Sequence, residues 1–214
     1  MTSGKRIHVA LVDPGLTEAD VDVARANAMT NFNRMAEEVP LAIQQLEAGL
    51  ENHIRQEKGS ALRKLRRLYK EMEPVMAALA PYLACRPGCS GCCHYPIGVM
   101  PIEADLIASR TGKRLLTGGP GARTGTLVRQ EDTPCPFLVD NQCSIYDDRP
   151  MACRKHVALT NTAYWCQPER ANDHAFPMAG LSTLTAAFEY VIALDGRGMP
   201  RDIRDYFGHA PSTP

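Results

Sequence analysis

Cys85-Arg-Pro-Gly-Cys89-Ser-Gly-Cys92-Cys93-His94 places four thiols within nine residues, and Cys135, Cys143, Cys153 and Cys166 bring the total to eight. No cysteine precedes Cys85 or follows Cys166. Thiolates are soft donors, and an all-sulfur set selects zinc, iron–sulfur or cuprous ions. Cys89-x2-Cys92 is the spacing with which a tight turn aims two sulfurs at one tetrahedral centre, and Gly88 and Gly91 suit such a turn. All eight cysteines are therefore candidate metal ligands. Adjacent side chains such as Cys92 and Cys93 point in different directions, so the pair is expected to feed two centres or to divide into one ligand and one non-ligand. Two four-thiolate zinc sites, one iron–sulfur cluster plus a zinc, or one cluster plus reactive thiols all remain open.

The spacing Cys85-x3-Cys89-x2-Cys92 is also that of the three cluster ligands in radical S-adenosylmethionine enzymes, and is suitable for three corners of a [4Fe–4S] cubane. Gly91 stands where those enzymes usually carry an aromatic residue, and the chain lacks the repeating strand–helix units of a barrel. Cys135-Pro136 resembles the cysteine–proline pair of ferredoxins. His94 and His156 can replace a thiolate as ligand or serve as hydrogen-bonding neighbours. Glu103, Asp105, Asp147 and Asp148 can do acid–base work beside a metal or simply cap and solvate. Arg149 and Arg154 are read as offsetting thiolate charge, because four thiolates on a divalent zinc leave a net −2.

Taken together, Cys85, Cys89, Cys92-Cys93, Cys135-Pro-Phe-Leu138, Cys143-Ser-Ile-Tyr146, Arg149-Pro150 and Cys153-Arg154 resemble the CxxCxxCC cysteine-cluster family, a zinc- or iron-chelating domain also found in flagellin lysine N-methylase. The resemblance covers about residues 85 to 166 and implies metal or iron–sulfur binding by the shared cysteines. One departure is that three residues, not two, separate Cys85 from Cys89. Methyl transfer does not follow, since no glycine-rich strand-to-helix motif for S-adenosylmethionine is present.

The elements that must position these thiols are mostly helical. Thr17 and Asp20 resemble a capping box opening a helix with Val21, Ala24, Ala28, Phe32 and Met35 on one face. Val39-Pro40 interrupts it, and a second helix carries Ile43, Leu46, Leu50 and Ile54, ending near Gly59. A third has Leu62, Leu65, Tyr69, Met72, Met76 and Leu79 at heptad-like spacing, with Pro74 expected to kink or interrupt it and Pro81 to end it. Its other face bears Arg63, Arg66, Arg67 and Lys70, a solvated face or a docking stripe. A short helix begins near Pro101. Residues 111–125 form a glycine-rich loop that fails both the P-loop and the GxGxxG patterns and is expected to act as a mobile lid. A β-hairpin turns at Asp140-Asn141-Gln142. Asp147 or Asp148 is expected to cap a segment starting at Pro150. A last helix carries Met178, Leu181, Leu184, Phe188, Val191 and Ile192.

The expected fold is thus mainly α with a small β-hairpin: an irregular cysteine-rich metal-binding core at 84–170, flanked by a helical arm at 1–83 and a helix and tail at 171–214. Lys plus Arg and Asp plus Glu both number 24, so charge offers no ground for nucleic acid or an anionic membrane as partner. No apolar run approaches the roughly 18 residues of a membrane span. The apolar stretch at the amino terminus is too short for a signal peptide, which makes the cytosol the expected compartment; clustered cysteines there are metal ligands or redox groups more often than disulfides. The functional expectation is a metal-binding protein holding zinc or an iron–sulfur cluster. A metal-dependent enzyme that methylates lysine, and a zinc-stabilised module for a protein partner, are the alternatives.

Overall fold

A computed structural model describes residues 20–116, 133–167, 170 and 174–208. The lead-in at 1–16, Thr17, and most of the glycine-rich loop expected to act as a lid lie outside the described residues. The fold is mainly helical with two small antiparallel strand pairs. In order come α1 (Val21–Glu38), α2 (Leu41–Gln56), α3 (Ala61–Leu79), β1 (Gly98–Val99), α4 (Pro101–Thr111), β2 (Leu138–Val139), β3 (Gln142–Cys143), α5 (Met151–Arg154), α6 (Ser182–Asp195), β4 (Arg201–Asp202) and α7 (Ile203–Phe207).

Asp20 is the cap of α1, not the third residue of a box opened by Thr17: its Oδ1 accepts from the amides of Asp22 and Val23 at 2.8 and 3.2 Å. The buried stripe of α1 is Ala24, Ala28 and Asn31, while Phe32 stays exposed. Asn31 explains the difference. Its side-chain amide donates to the Leu159 carbonyl at 2.8 Å and to Asn161 Oδ1 at 2.9 Å, so the face that turns inward is the one that can pair there.

Pro40 separates α1 from α2 as expected, because the residue before proline is pushed out of the α region; Val39 adopts ψ 125°. Leu50 and Ile54 of α2 meet Leu65, Leu68 and Met72 of α3 and Leu184, Ala187 and Val191 of α6 in one aliphatic core. Lys64 is buried at the α2–α3 corner. Its Nζ donates to the carbonyls of Ile54 (2.8 Å), Arg55 (3.3 Å) and Glu57, which satisfies acceptors left over at the end of α2. Pro74 does not interrupt α3. It lies on the exposed face, as does Lys70, so the carbonyl that loses its amide partner can turn to water.

A second, smaller core holds Ile97, Val99, Ala104, Ile107, Phe137, Ile145, Ile203, Tyr206 and Phe207 together with Cys93 and Cys135. Phe137 and Phe207 meet edge to face, with ring centroids 4.9 Å apart. The hairpin β2–β3 pairs Leu138 with Cys143 and Val139 with Gln142. Asp140 and Asn141 at its tip have φ of 48° and 58°, the signature of a two-residue type I′ turn. The strand pair β1–β4 and helix α7 had no counterpart in the sequence reading. Two-residue strands and a five-residue helix are too short to leave a periodic signal. Met178, expected on the last helix, lies before α6 and forms an isolated bridge with Ala158. Pro150 itself is the N-cap position of α5, without a side-chain cap; Asp147 and Asp148 belong to the 3₁₀ turn Tyr146–Asp148 just before it.

Candidate metal centre

The first cluster enters through two tight turns. The Cys89 amide donates to the Arg86 carbonyl at 3.0 Å, closing a turn in which Gly88 takes φ +90°. A 3₁₀ turn over Gly91–His94 follows. Gly91 is required by close approach: a Cβ there would stand 2.5 Å from the Cys166 carbonyl oxygen. The turn Ala163–Cys166 lies against it and is held by the Tyr95 hydroxyl, which donates to the same carbonyl at 3.2 Å.

Six of the eight sulfurs border one cavity. Cys89, Cys92, Cys93, Cys135, Cys143 and Cys153 line a space of about 20 Å3 closed by Ile97, Ile145 and Ile203. Both members of the adjacent pair reach it. Successive side chains on a 3₁₀ turn diverge by about 120° rather than the 180° of a strand, so neighbours can flank one space. Cys85 and Cys166 do not line this cavity. The Cys85 thiol donates to the His156 carbonyl at 3.3 Å and lines a different cleft. Neither His94 nor His156 lines this cavity.

Cys93 is the hub. The sulfurs of Cys135, Cys143 and Cys92 are neighbours that can accept a hydrogen bond from its single S–H, and this pushes its own ionisation up. The same contacts pull Cys135 and Cys92 down, and bring Cys143 to about 7. Burial raises Cys89, lifts Cys153 well above the ordinary thiol value and takes Cys85 to about 11. Thiolate is the form that binds metal, so the cavity combines sulfurs poised to ionise with others held protonated by burial.

Distant elements fix this arrangement. The Cys135 amide donates to the Cys93 carbonyl at 2.8 Å. Arg204, buried on α7, donates to the carbonyls of Cys93 (3.3 Å), Tyr95 (3.2 Å) and Thr133 (2.7 Å) and pairs with Asp202 at 3.0 Å. It also lowers the Cys135 thiol electrostatically. The sequence reading missed Arg204 because a single arginine about 110 residues from Cys93 carries no local signal. Arg149 is where the charge-offset reading placed it: it lines the cavity, stacks 3.6 Å over the Tyr146 ring and stabilises the thiolates of Cys89, Cys92, Cys143 and Cys153. Arg154 plays a different part. It stacks on Tyr69 at 4.4 Å and donates to the carbonyls of Arg149 (2.6 Å) and Asp147, holding the loop that carries Arg149.

None of the four carboxylates considered for acid–base work borders the sulfurs. Glu103 is a buried fastener: Oε1 accepts from the Tyr69 hydroxyl (2.5 Å) and the Met151 amide (2.6 Å), and Oε2 from the Met100 amide (2.9 Å), tying α3, α4 and α5 together. Asp105 pairs with Arg197 and Asp148 with Arg110. Asp147 borders the cleft on the Cys85 side. On the basic face of α3, Arg63 pairs with Glu57 and Arg67 with Glu71.

The donor set fits a thiophilic ion: soft sulfurs, a dry apolar wall, and guanidinium groups that offset negative charge. Among the described residues no three Cys, His, Asp or Glu donors converge on a common point in the manner of a closed metal site. Moving a thiol between staggered wells re-aims its sulfur about a fixed Cβ with the backbone unchanged.

The family model CxxCxxCC, described as "Putative zinc- or iron-chelating domain", matches residues 84–170. Chelation of zinc or iron is thus the class of function that this segment's match supports. No curated protein and no solved structure matches the chain. Among the described residues no helix is long and apolar enough to cross a membrane.

Proposed function

We propose that the protein is a metal-binding protein whose resident ion draws its four ligands from Cys89, Cys92, Cys93, Cys135, Cys143 and Cys153, with Cys85 and Cys166 outside the donor set. The observation that carries this is the gathering of six cysteines around one cavity. A space of about 20 Å3 is little more than one water occupies. It favours bare zinc or iron over a preassembled cubane. The bound ion supplies cross-linking: it joins the Gly91–His94 turn, the hairpin and α5, which have little aliphatic packing of their own. Arg149 and Arg204 limit the cost of gathering anionic sulfurs in a dry space.

Serine replacement of each cysteine in turn, with metal per chain measured by elemental analysis and the visible spectrum recorded without oxygen, tests the proposal. Loss of metal is expected from four of the six inner replacements and retention from Cys85→Ser and Cys166→Ser. A colourless protein with stoichiometric zinc, or iron without the broad visible absorption of a cluster, supports the bare-ion reading; a brown protein with a cluster spectrum overturns it. Loss of metal from Cys85→Ser or from Cys166→Ser would overturn the assignment of donors.

A further inference from the structure

Two clefts outside the thiol cavity differ in how their charges are used. One, of about 580 Å3 beside α2 and α3, is lined by charges that pair with each other: Arg67 with Glu71 at 2.5 Å, and His53 with Glu71 at 3.3 Å. The other, of about 800 Å3, lies between the end of α3 and the loops carrying Cys85 and Arg149. Arg86, Arg149 and Arg154 line it, and among the described residues none of the three is in an ion pair. Glu73 and Asp147 also border it, which leaves one net positive charge. Met76, Leu83 and Val157 give the same cleft apolar lining. A volume of this size, with an apolar wall and a few convergent polar groups, is typical of small-molecule sites.

We propose that this cleft binds a small amphipathic anion, its acidic head against Arg86 and Arg149 and its apolar body against Met76, Leu83 and Val157. Arg149 also walls the thiol cavity, so the head of the ligand rests beside the sulfurs. Arg154 is already spent on backbone carbonyls and holds Arg149 in place. Its charge reinforces the site without contacting the ligand. Planar guanidinium groups match carboxylate and phosphate oxygens alike, so the head is either a carboxylate or a phosphate ester.

The test is isothermal titration calorimetry of the full chain as purified, with its metal content measured on the same sample, against octanoate, phenyl phosphate and inorganic phosphate. Saturable binding of octanoate identifies a carboxylate head, and of phenyl phosphate a phosphate ester; inorganic phosphate is expected to bind at least tenfold more weakly than the better probe. Arg86→Glu, at an exposed position, should weaken that probe at least tenfold, and Met76→Trp should abolish binding by filling the apolar wall. Arg67→Glu in the other cleft should change nothing. The proposal is overturned if neither amphipathic probe saturates at millimolar concentration, if Arg86→Glu and Met76→Trp leave binding intact, or if Arg67→Glu weakens it as much as Arg86→Glu. A sample without metal that still binds the anion would refute the metal centre and leave this site standing.

Discussion

Leu50, Ile54, Leu65, Leu68, Met72 and Leu184 fill the space enclosed by α2, α3 and α6, and all six are fully buried. Around the six inner thiols the described residues form mostly two-residue strands, single turns and the short helices α5 and α7, with Ile97, Ile145 and Ile203 lining the cavity. The bundle gains stability from apolar area removed from water, about 25 cal/mol per Å2, spread over many side chains. The thiol region has a smaller apolar core around Phe137 and Phe207, and adds to it a few polar fasteners, namely Arg204 and Glu103. The lesson is that damage to the bundle should be graded, whereas damage to the cysteine region should depend sharply on which fastener is lost.

Removing the metal gives the widest separation between the two regions. Structural thiolate metals contribute on the order of 10 kcal/mol, so a strong chelator should abolish amide protection across residues 89–94 and 135–154 while α2, α3 and α6 stay protected. Hydrogen exchange read by mass spectrometry checks this, and equal loss in both regions would show that they fold as one unit. Next in size, Leu65→Ala should cost about 2–5 kcal/mol in denaturant unfolding while metal per chain stays unchanged. Arg204→Met should have the opposite profile. It removes the charge partner of Asp202 and the donor to three carbonyls, while two backbone amides still reach the Asp202 carboxylate, a loss of about 3 kcal/mol, and metal content should fall with it.

Gly91→Ala should act more locally. The added methyl forces the Cys166 turn away, lowering metal affinity as read by competition with a chromogenic chelator while the helical circular dichroism signal is retained. The smallest effect concerns pH. Burial raises the Glu103 carboxyl above its ordinary 4.5 despite three donors that favour its charged form. A raised folded value means that its contribution to stability is complete below about pH 4.5 and declines as pH rises through the folded value. Glu103→Gln should flatten that decline in urea midpoints measured across pH.

The bundle was largely legible in the chain. Leu50, Ile54, Leu65, Met72 and Leu184 recur at helical spacing, and their burial followed that spacing. Local pattern failed where a polar residue found a distant partner, as when Asn31 displaced Phe32 from the inward face of α1 by bonding to Leu159 and Asn161. The hairpin was legible because Asp140-Asn141 tolerates the positive φ of its turn.

By itself the sequence determined that eight thiols lie in one segment between two helical arms, because residue type and helical period are local properties. Only the tertiary structure decided which sulfurs share a cavity. It drew Cys153 and Cys143 to Cys93, sent Cys85 toward His156, and placed Arg204 over the Cys93 carbonyl and Glu103 beneath Met151. Those contacts join residues about 50 to 110 positions apart. Their energy comes from desolvated charge and hydrogen bonding between elements that meet only once the helices have packed.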